Sequence, residues 1–166
     1  MRYFITFSCY GGRLHGDESG SVDPNHNLPG SRLIESNPLR VAAEHQRMDQ
    51  APYSLDQGAR AIVLTAMREV CSHRDWNLLA AHVRTNHVHV IVEAQVSPER
   101  VMNAFKSYCS RALKGLGCDG PDRKRWARHG STRWLWKDED VRVAIRYVVE
   151  QQGEPMAVFV GESFEF

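Results

Sequence analysis

The sequence lacks the features that mark a secreted, membrane-bound or cysteine-liganded protein. Its four cysteines, at positions 9, 71, 109 and 118, show no CxxC spacing. No signal peptide and no long apolar run is present. We therefore expect free thiols, a cytoplasmic location and no membrane partner.

Internal repeats, low-complexity tracts and a strong net charge are also missing. The 166 residues suffice for one well-cored domain and are few for two, so we expect a single domain over residues 1–166. A hydrophobic share of 42% and a charged share of 25% are ordinary for a soluble protein. The net charge of +1 excludes no class of partner.

The charge is unevenly distributed, however. Between Arg100 and Tyr147 there are 12 basic and 5 acidic residues, an excess of seven positive charges. A solvated surface is the commoner meaning of such a stretch, and binding to a polyanion is the alternative.

A strand containing two histidines is the most informative segment. In Thr85–Glu93 valines alternate with histidines, which is the period of a β-strand. Residues two apart share a face of a strand, so His87 and His89 stand side by side and can share a divalent cation. The alternative is a pair of half-buried packing residues. No Asp-His pair follows, which favours a mononuclear site with an open position. His82 is expected to be a polar residue at a strand end rather than a ligand.

The order of the predicted elements indicates an α+β, ferredoxin-like split βαβ fold, a four-stranded antiparallel sheet with helices on one face. His87 and His89 then project from the other face. A C-terminal helix carrying a tyrosine follows, with Asp138 as its N-cap. The predicted elements are strands at Arg2–Cys9, Trp76–Val83, Thr85–Glu93 and Thr132–Trp136, and helices at Gln57–His73, from Pro98 to Gly115, and from Asp138 to about Gln152.

Two segments lie outside this pattern. Tyr10–Ser54 is rich in turn-forming residues, so we expect an irregular insertion at about 10–54, with a short helix near Leu39–Met48. A loop of that length is unusual without a binding role, and a surface insertion is the alternative. The tail from Met156 is expected to pack back through Val158 and Phe159.

The final helix carries candidate site residues. Tyr147 and Gln151 are four apart, so they lie one above the other on a helix. If the helix packs beside the histidines, Tyr147 would supply a nucleophile and Gln151 an oxygen ligand for a metal. The alternative is that Tyr147 only packs at the helix edge.

His87-Val88-His89 on a hairpin strand, followed by Tyr147-x-x-x-Gln151 on a terminal helix, resembles the single-tyrosine HUH nucleases. The similarity is greatest to the TnpA-type transposases of insertion sequences and to the REP-associated tyrosine transposases (RAYTs). Tyr3–Phe7 and Trp76–Val92 are also similar to that family, and the resemblance covers most of the chain outside the insertion. Many relatives have Asn-Pro where this chain has Gln151-Gln152-Gly153.

The resemblance implies a transposase, that is, a metal-dependent single-stranded DNA endonuclease and strand transferase with a 5′-phosphotyrosine intermediate. Tyr147 would be the nucleophile, and His87, His89 and Gln151 would bind Mg²⁺ or Mn²⁺. Tyr108 on the second helix is the rival nucleophile, but the family's nucleophile lies on the last helix.

The implied partner is single-stranded or hairpin DNA, and a homodimer remains open because relatives can exchange tyrosine helices. Basic side chains would contact phosphates and tryptophans would stack on bases, although the tryptophans fit a core role equally well. The expected DNA contacts are Lys106, Arg111, Arg123, Lys124, Arg125, Arg128, Arg133 and Trp126, with Trp134 and Trp136 as further stacking candidates.

Two other functions fit parts of the sequence. A non-catalytic nucleic-acid-binding module would stack bases on the open sheet face, but it needs aromatic residues where His87 and His89 stand. A metal-dependent phosphoesterase that uses water would not need Tyr147. Formation of a covalent DNA–protein adduct separates all three.

Overall fold

The computed structural model describes residues 1–12, 39 and 48–164, and its centre is an antiparallel sheet of order β4-β1-β3-β2-β5. The predicted insertion at about 10–54, with its helix near Leu39–Met48, lies largely outside the described residues. None of the helices in the described ranges is long and apolar enough to cross a membrane. The strands are β1 (Arg2–Cys9), β2 (Asn77–Val83), β3 (His87–Glu93), β4 (Trp126–Trp134) and β5 (Ala157–Val160); the helices are α1 (Gln57–Arg74), α2 (Pro98–Lys114) and α3 (Asp138–Glu150), with a short 3₁₀ helix at Glu162–Phe164.

The first four strands and two helices follow the split βαβ order, which confirms the predicted ferredoxin-like α+β fold. The sheet has five strands rather than four, because the tail adds β5 to the edge of β2. Pairing runs from Ala80↔Val160 to Val83↔Ala157, so the tail packs back as an ordered edge strand.

Strand β4 begins at Trp126, six residues earlier than the strand predicted at Thr132–Trp136. The turn-like composition before Thr132 is misleading because Gly130 is inside the strand. A Cβ atom on Gly130 would lie 2.5 Å from the carbonyl oxygen of Thr6, so only glycine allows β1 and β4 to approach this closely.

The two faces of the sheet bury different helices. Val88, Val90 and Val92 are fully buried and pack with α1 and α2, as their alternation predicts. Helix α3 packs on the opposite face, against a small apolar cluster that includes Phe4 and Ile91. That face is therefore partly covered rather than left free, and the histidines lie on it beside α3.

The N-cap of α3 lies one residue earlier than predicted. Lys137 is the N-cap and Asp138 is the first helical residue; the carboxylate of Asp140 accepts a hydrogen bond from the backbone N–H of Lys137 at 3.2 Å. Three acidic residues occupy the first turn, where the helix dipole favours negative charge. This end of α3 is thus fixed by its own sequence.

Candidate active site

His87 and His89 lie side by side on the α3 face of β3. Their ring centroids are 4.8 Å apart and the ring planes are 79° from parallel. His89 is buried and His87 is half-buried, while the intervening Val88 points into the other core. Strand periodicity therefore places the two imidazoles together, within reach of one shared ligand.

Two side chains that the sequence did not single out fix the orientation of these rings. The amide oxygen of Asn86 lies 2.8 Å from Nδ1 of His87. Because an amide oxygen can only accept, this contact favours the tautomer with the hydrogen on Nδ1 and the lone pair on Nε2. The hydroxyl of Thr6 lies 2.8 Å from Nδ1 of His89 and can donate or accept, so it supports either tautomer. Partners of this kind orient histidine ligands in metal sites.

Tyr147 lies beside this pair, on α3, with 41% of its surface exposed. Its ring centroid is 5.9 Å from that of His89 and 6.0 Å from that of Phe4, both in edge-to-face geometry. The rival Tyr108 lies on α2, which packs on the other face of the sheet, and the guanidinium of Arg111 lies 4.6 Å from its ring centroid. Of the two tyrosines, the fold brings Tyr147 to the histidines.

The glutamine contacting the histidines is Gln152 and not Gln151. Oε1 of Gln152 lies 3.1 Å from Nε2 of His89, whereas Gln151 is exposed. The prediction that Gln151 lies one turn above Tyr147 assumed that the helix continues through Gln151. Helix α3 ends at Glu150 instead, and the C-cap Gln151 has non-helical geometry with φ −112° and ψ 21°. The next residue then turns toward the sheet. Gln152 is the structurally supported third ligand candidate.

His82 has a positioning role in the fold. It is fully buried, with Nδ1 3.0 Å from the carbonyl oxygen of Val148, and its Nε2 accepts a hydrogen bond from the backbone N–H of Met156 at 3.0 Å. Burial lowers its pKa below the ordinary value, with a smaller contribution from Arg84 against the raising effect of Val148. The neutral ring thus ties the end of α3 to the segment that carries Gln152.

These residues fit a divalent cation. The described ranges hold no cluster of three or more His, Cys, Asp or Glu side chains suited to a metal. The available set is instead two imidazoles and the amide oxygen of Gln152, a mixed N/O set that suits Mn²⁺ better than Mg²⁺. All three donors are neutral, so an anionic DNA phosphate would complete the charge balance.

The basic run Arg123-Lys124-Arg125 has partners within the protein. Arg125 is buried, and its Nε lies 3.3 Å from the carboxylate of Asp119. Arg123 donates to the side-chain oxygen of Gln50 at 2.9 Å, and Lys124 forms a 2.8 Å ion pair with Asp49. The prediction that Arg125 contacts DNA is wrong, because its guanidinium is enclosed by the fold.

Arg125→Ala is therefore expected to destabilise the protein. Removing one partner of a buried ion pair leaves the Asp119 carboxylate with only the Tyr53 hydroxyl as a partner, and loss of such a pair costs about 3–5 kcal/mol. Urea unfolding followed by circular dichroism measures the loss. Lys124→Ala is the matched control, because its ion pair is exposed and should leave the midpoint unchanged. Equal midpoints for both variants would contradict the buried-pair argument.

Lys106 and Trp126 also serve the fold rather than an open surface. The Lys106 amine donates to the carbonyl oxygens of Ala127 and His129 at 2.9 and 3.4 Å, and burial lowers its pKa to about 8. The indole N–H of Trp126 donates to the carbonyl oxygen of Lys106 at 3.0 Å, and its ring packs edge-on against Phe7. Both side chains thus have packing partners within the protein, and their predicted contacts with DNA stay predictions.

Other candidates remain on the surface. Arg111 and Arg128 are exposed. Trp134 and Trp136 are 40% and 73% exposed and stack on each other at 5.1 Å with an interplanar angle of 11°. The stacked pair has the geometry of a platform on which a nucleobase can stack.

The fold thus places two histidines on one face of a ferredoxin-like sheet, with a tyrosine helix beside them. The model of the family described as "Transposase IS200 like" matches residues 53–139, slightly more than half of the chain. The chain therefore belongs to the IS200-like transposase family. The matched range includes both histidines and ends before Tyr147.

Among the solved structures that are similar to this chain are the following two. One is a REP-associated tyrosine transposase bound to a REP hairpin, with 12% identity and a TM-score of 0.49 over 90% of this chain. This chain spans 65% of that protein's length. The other is a candidate transposase from Deinococcus radiodurans R1, with 14% identity and a TM-score of 0.46 over 92% of this chain and 90% of that one. Comparison with curated proteins gives no match.

Proposed function

We propose that this transposase cleaves and rejoins single-stranded DNA through a covalent link to Tyr147, in a reaction that depends on a divalent cation. The observation that carries the proposal is the convergence of three elements. Tyr147 from α3, His89 from β3 and Gln152 from the segment after α3 meet on one face of the sheet. All three residues belong to the same chain in this structure.

The phenolic oxygen of Tyr147 attacks the scissile phosphorus in line with the leaving oxygen. The new O–P bond forms as the bond from phosphorus to the 3′-oxygen breaks. The phenol proton passes to solvent and the departing 3′-oxygen takes up a proton. The product is a 5′-phosphotyrosine and a free 3′-hydroxyl. Because the linkage remains a phosphodiester, the 3′-hydroxyl of another strand can reverse the step without ATP.

His87, His89 and Gln152 would hold the cation. When bound, Mg²⁺ or Mn²⁺ would polarise a non-bridging oxygen of the scissile phosphate. Asn86 orients His87, and Thr6 orients His89 while accommodating the tautomer that presents Nε2 to a metal. Because 41% of the surface of Tyr147 is exposed, a DNA strand could approach its side chain.

Hairpin-containing DNA is the proposed substrate. Its single-stranded portion would lie along the open part of the histidine face. Trp134 is opposite Tyr3 and projects from the other face, so the Trp134–Trp136 stack would receive a base only from a strand that passes around the β4 edge. The surface-exposed Arg111 and Arg128 would contact phosphates.

The test is incubation of the protein with end-labelled hairpin DNA and Mn²⁺, followed by a denaturing gel. A labelled band that migrates with the protein and disappears on proteolysis supports the proposal. Cleaved DNA without an adduct would indicate a phosphoesterase that uses water. Bound but intact DNA would indicate a non-catalytic binding module.

The third ligand is tested by comparing Gln152→Ala with Gln151→Ala. Loss of one of three ligands should raise the Mn²⁺ concentration needed for half-maximal adduct formation at least about 10-fold in Gln152→Ala. Gln151→Ala should require about the wild-type concentration, because its side chain is exposed. A manganese titration of adduct formation measures both, and the reverse ranking would assign the ligand to Gln151.

A further inference from the structure

Arg133 lies on the same face of the sheet as the histidines. It is on the edge strand β4, directly opposite Phe4 on β1, and Phe4 is in turn opposite Ile91 on β3. Directly opposed residues of antiparallel strands project from the same face. In the adjacent row, Ser131 is opposite Thr6, the residue that contacts His89. The register therefore brings Arg133 to the edge of the candidate site.

One aromatic ring connects Arg133 with the reacting groups. The Arg133 guanidinium lies 5.8 Å from the centroid of Phe4, within the range of a cation–π contact. The same ring is 5.7 Å from that of His89 and 6.0 Å from that of Tyr147. Phe4 is thus the common neighbour of a cation, a candidate metal ligand and the candidate nucleophile.

The Arg133 side chain has an unsatisfied donor. Its Nε is buried and has no hydrogen-bond partner in the described part of the chain. The nearest carboxylates in sequence have other partners, since Asp138 pairs with Arg2 and Glu139 with Arg142. A half-buried guanidinium whose Nε is unpaired is stabilised by an anion that accepts its N–H groups.

We propose that Arg133 binds the scissile phosphate and stabilises the negative charge on its non-bridging oxygens during attack by Tyr147, an inference that rests on the proposed function. The planar fork of guanidinium donors matches two phosphate oxygens. Its position across Phe4 from Tyr147 lets it approach a phosphate held between the tyrosine and the histidines. The Lys106 amine, in contrast, donates to carbonyl oxygens of the fold. Arg125 has an unpaired buried nitrogen too, but its Nε is paired with the carboxylate of Asp119.

The first measurement is the single-turnover rate of adduct formation at saturating hairpin DNA. Arg133→Gln keeps most of the side-chain volume over Phe4 and removes the charge. We expect the rate to fall about 10²–10³-fold, the usual cost of losing one donor to a developing oxyanion. Arg133→Lys keeps the charge without the fork and should give an intermediate rate. It also serves as the second variant if Arg133→Gln does not fold.

Arg68→Gln is the matched control. Its guanidinium also lies over an aromatic ring, 4.9 Å from the centroid of Phe159, but α1 packs on the opposite face of the sheet. This variant should form the adduct at the wild-type rate. A wild-type rate in Arg133→Gln or in Arg133→Lys would overturn the proposal.

The second measurement is DNA binding in a Tyr147→Phe background, where no cleavage interferes. The plot of log K against log salt has a negative slope. Adding Arg133→Gln should make that slope shallower by about 0.7, the contribution of one phosphate contact on a single strand. An unchanged slope overturns the proposal whatever the rate. If the wild type forms no adduct but the slope still becomes shallower, the phosphate contact stands and the proposed cleavage function fails.

Discussion

Replacing Tyr147 by phenylalanine is expected to abolish the covalent DNA–protein adduct and to leave hairpin-DNA binding nearly unchanged. Only the attacking oxygen is removed, and the ring can keep its edge contacts with Phe4 and His89. Loss of a covalent nucleophile lowers turnover by a factor on the order of 10⁶, which places the variant at the detection limit. Denaturing gels measure the adduct, and fluorescence anisotropy of labelled DNA measures binding.

Tyr108→Phe is the control for this experiment. Tyr108 lies on α2, on the side of the sheet away from the histidines, so its variant should form the adduct at the wild-type rate. If Tyr108→Phe abolished the adduct while Tyr147→Phe retained it, the nucleophile would be misassigned and the packing of Tyr147 against Phe4 would be only structural.

Replacing either His87 or His89 by alanine is expected to eliminate cleavage. The candidate site has three neutral donors, and a hard divalent cation that loses one imidazole from such a set is held poorly. EDTA should have the same effect on the wild-type protein, with recovery when Mn²⁺ or Mg²⁺ is added. The measurements are adduct formation and manganese binding by isothermal titration calorimetry, with and without DNA.

His73→Ala provides the matched histidine control. His73 is exposed in the last turn of α1 and should be dispensable for cleavage and for metal binding. Because the ligands carry no charge, manganese should bind more tightly when hairpin DNA supplies a phosphate. Full-rate cleavage by wild-type protein in EDTA would refute the metal-dependent mechanism.

Local sequence determined the elements whose pattern is complete within a few residues. Arg2–Cys9 forms β1 with the predicted bounds, because its aromatic and β-branched residues favour a strand and alternate residues bury one face in the core. The alternation around His87 and His89 likewise placed both imidazoles on one face and the valines in the core. Asp56 caps α1 through a 2.8 Å hydrogen bond to the backbone N–H of Ala59, a contact three residues long. Such features depend on spacing alone.

Only the tertiary structure decided which residues lie at the candidate site. Helical spacing pointed to Gln151, but α3 ends at Glu150, where His82 and the returning β5 segment redirect the chain, so Gln152 meets His89. A run of basic residues does not show which of its members face inward, and Arg125 is paired with Asp119 in the interior. Arg133 reaches the site through the β1–β4 register, which depends on the close approach at Gly130. These outcomes are set by contacts between residues distant in sequence, and a local pattern carries no information about which distant segment will pack against it.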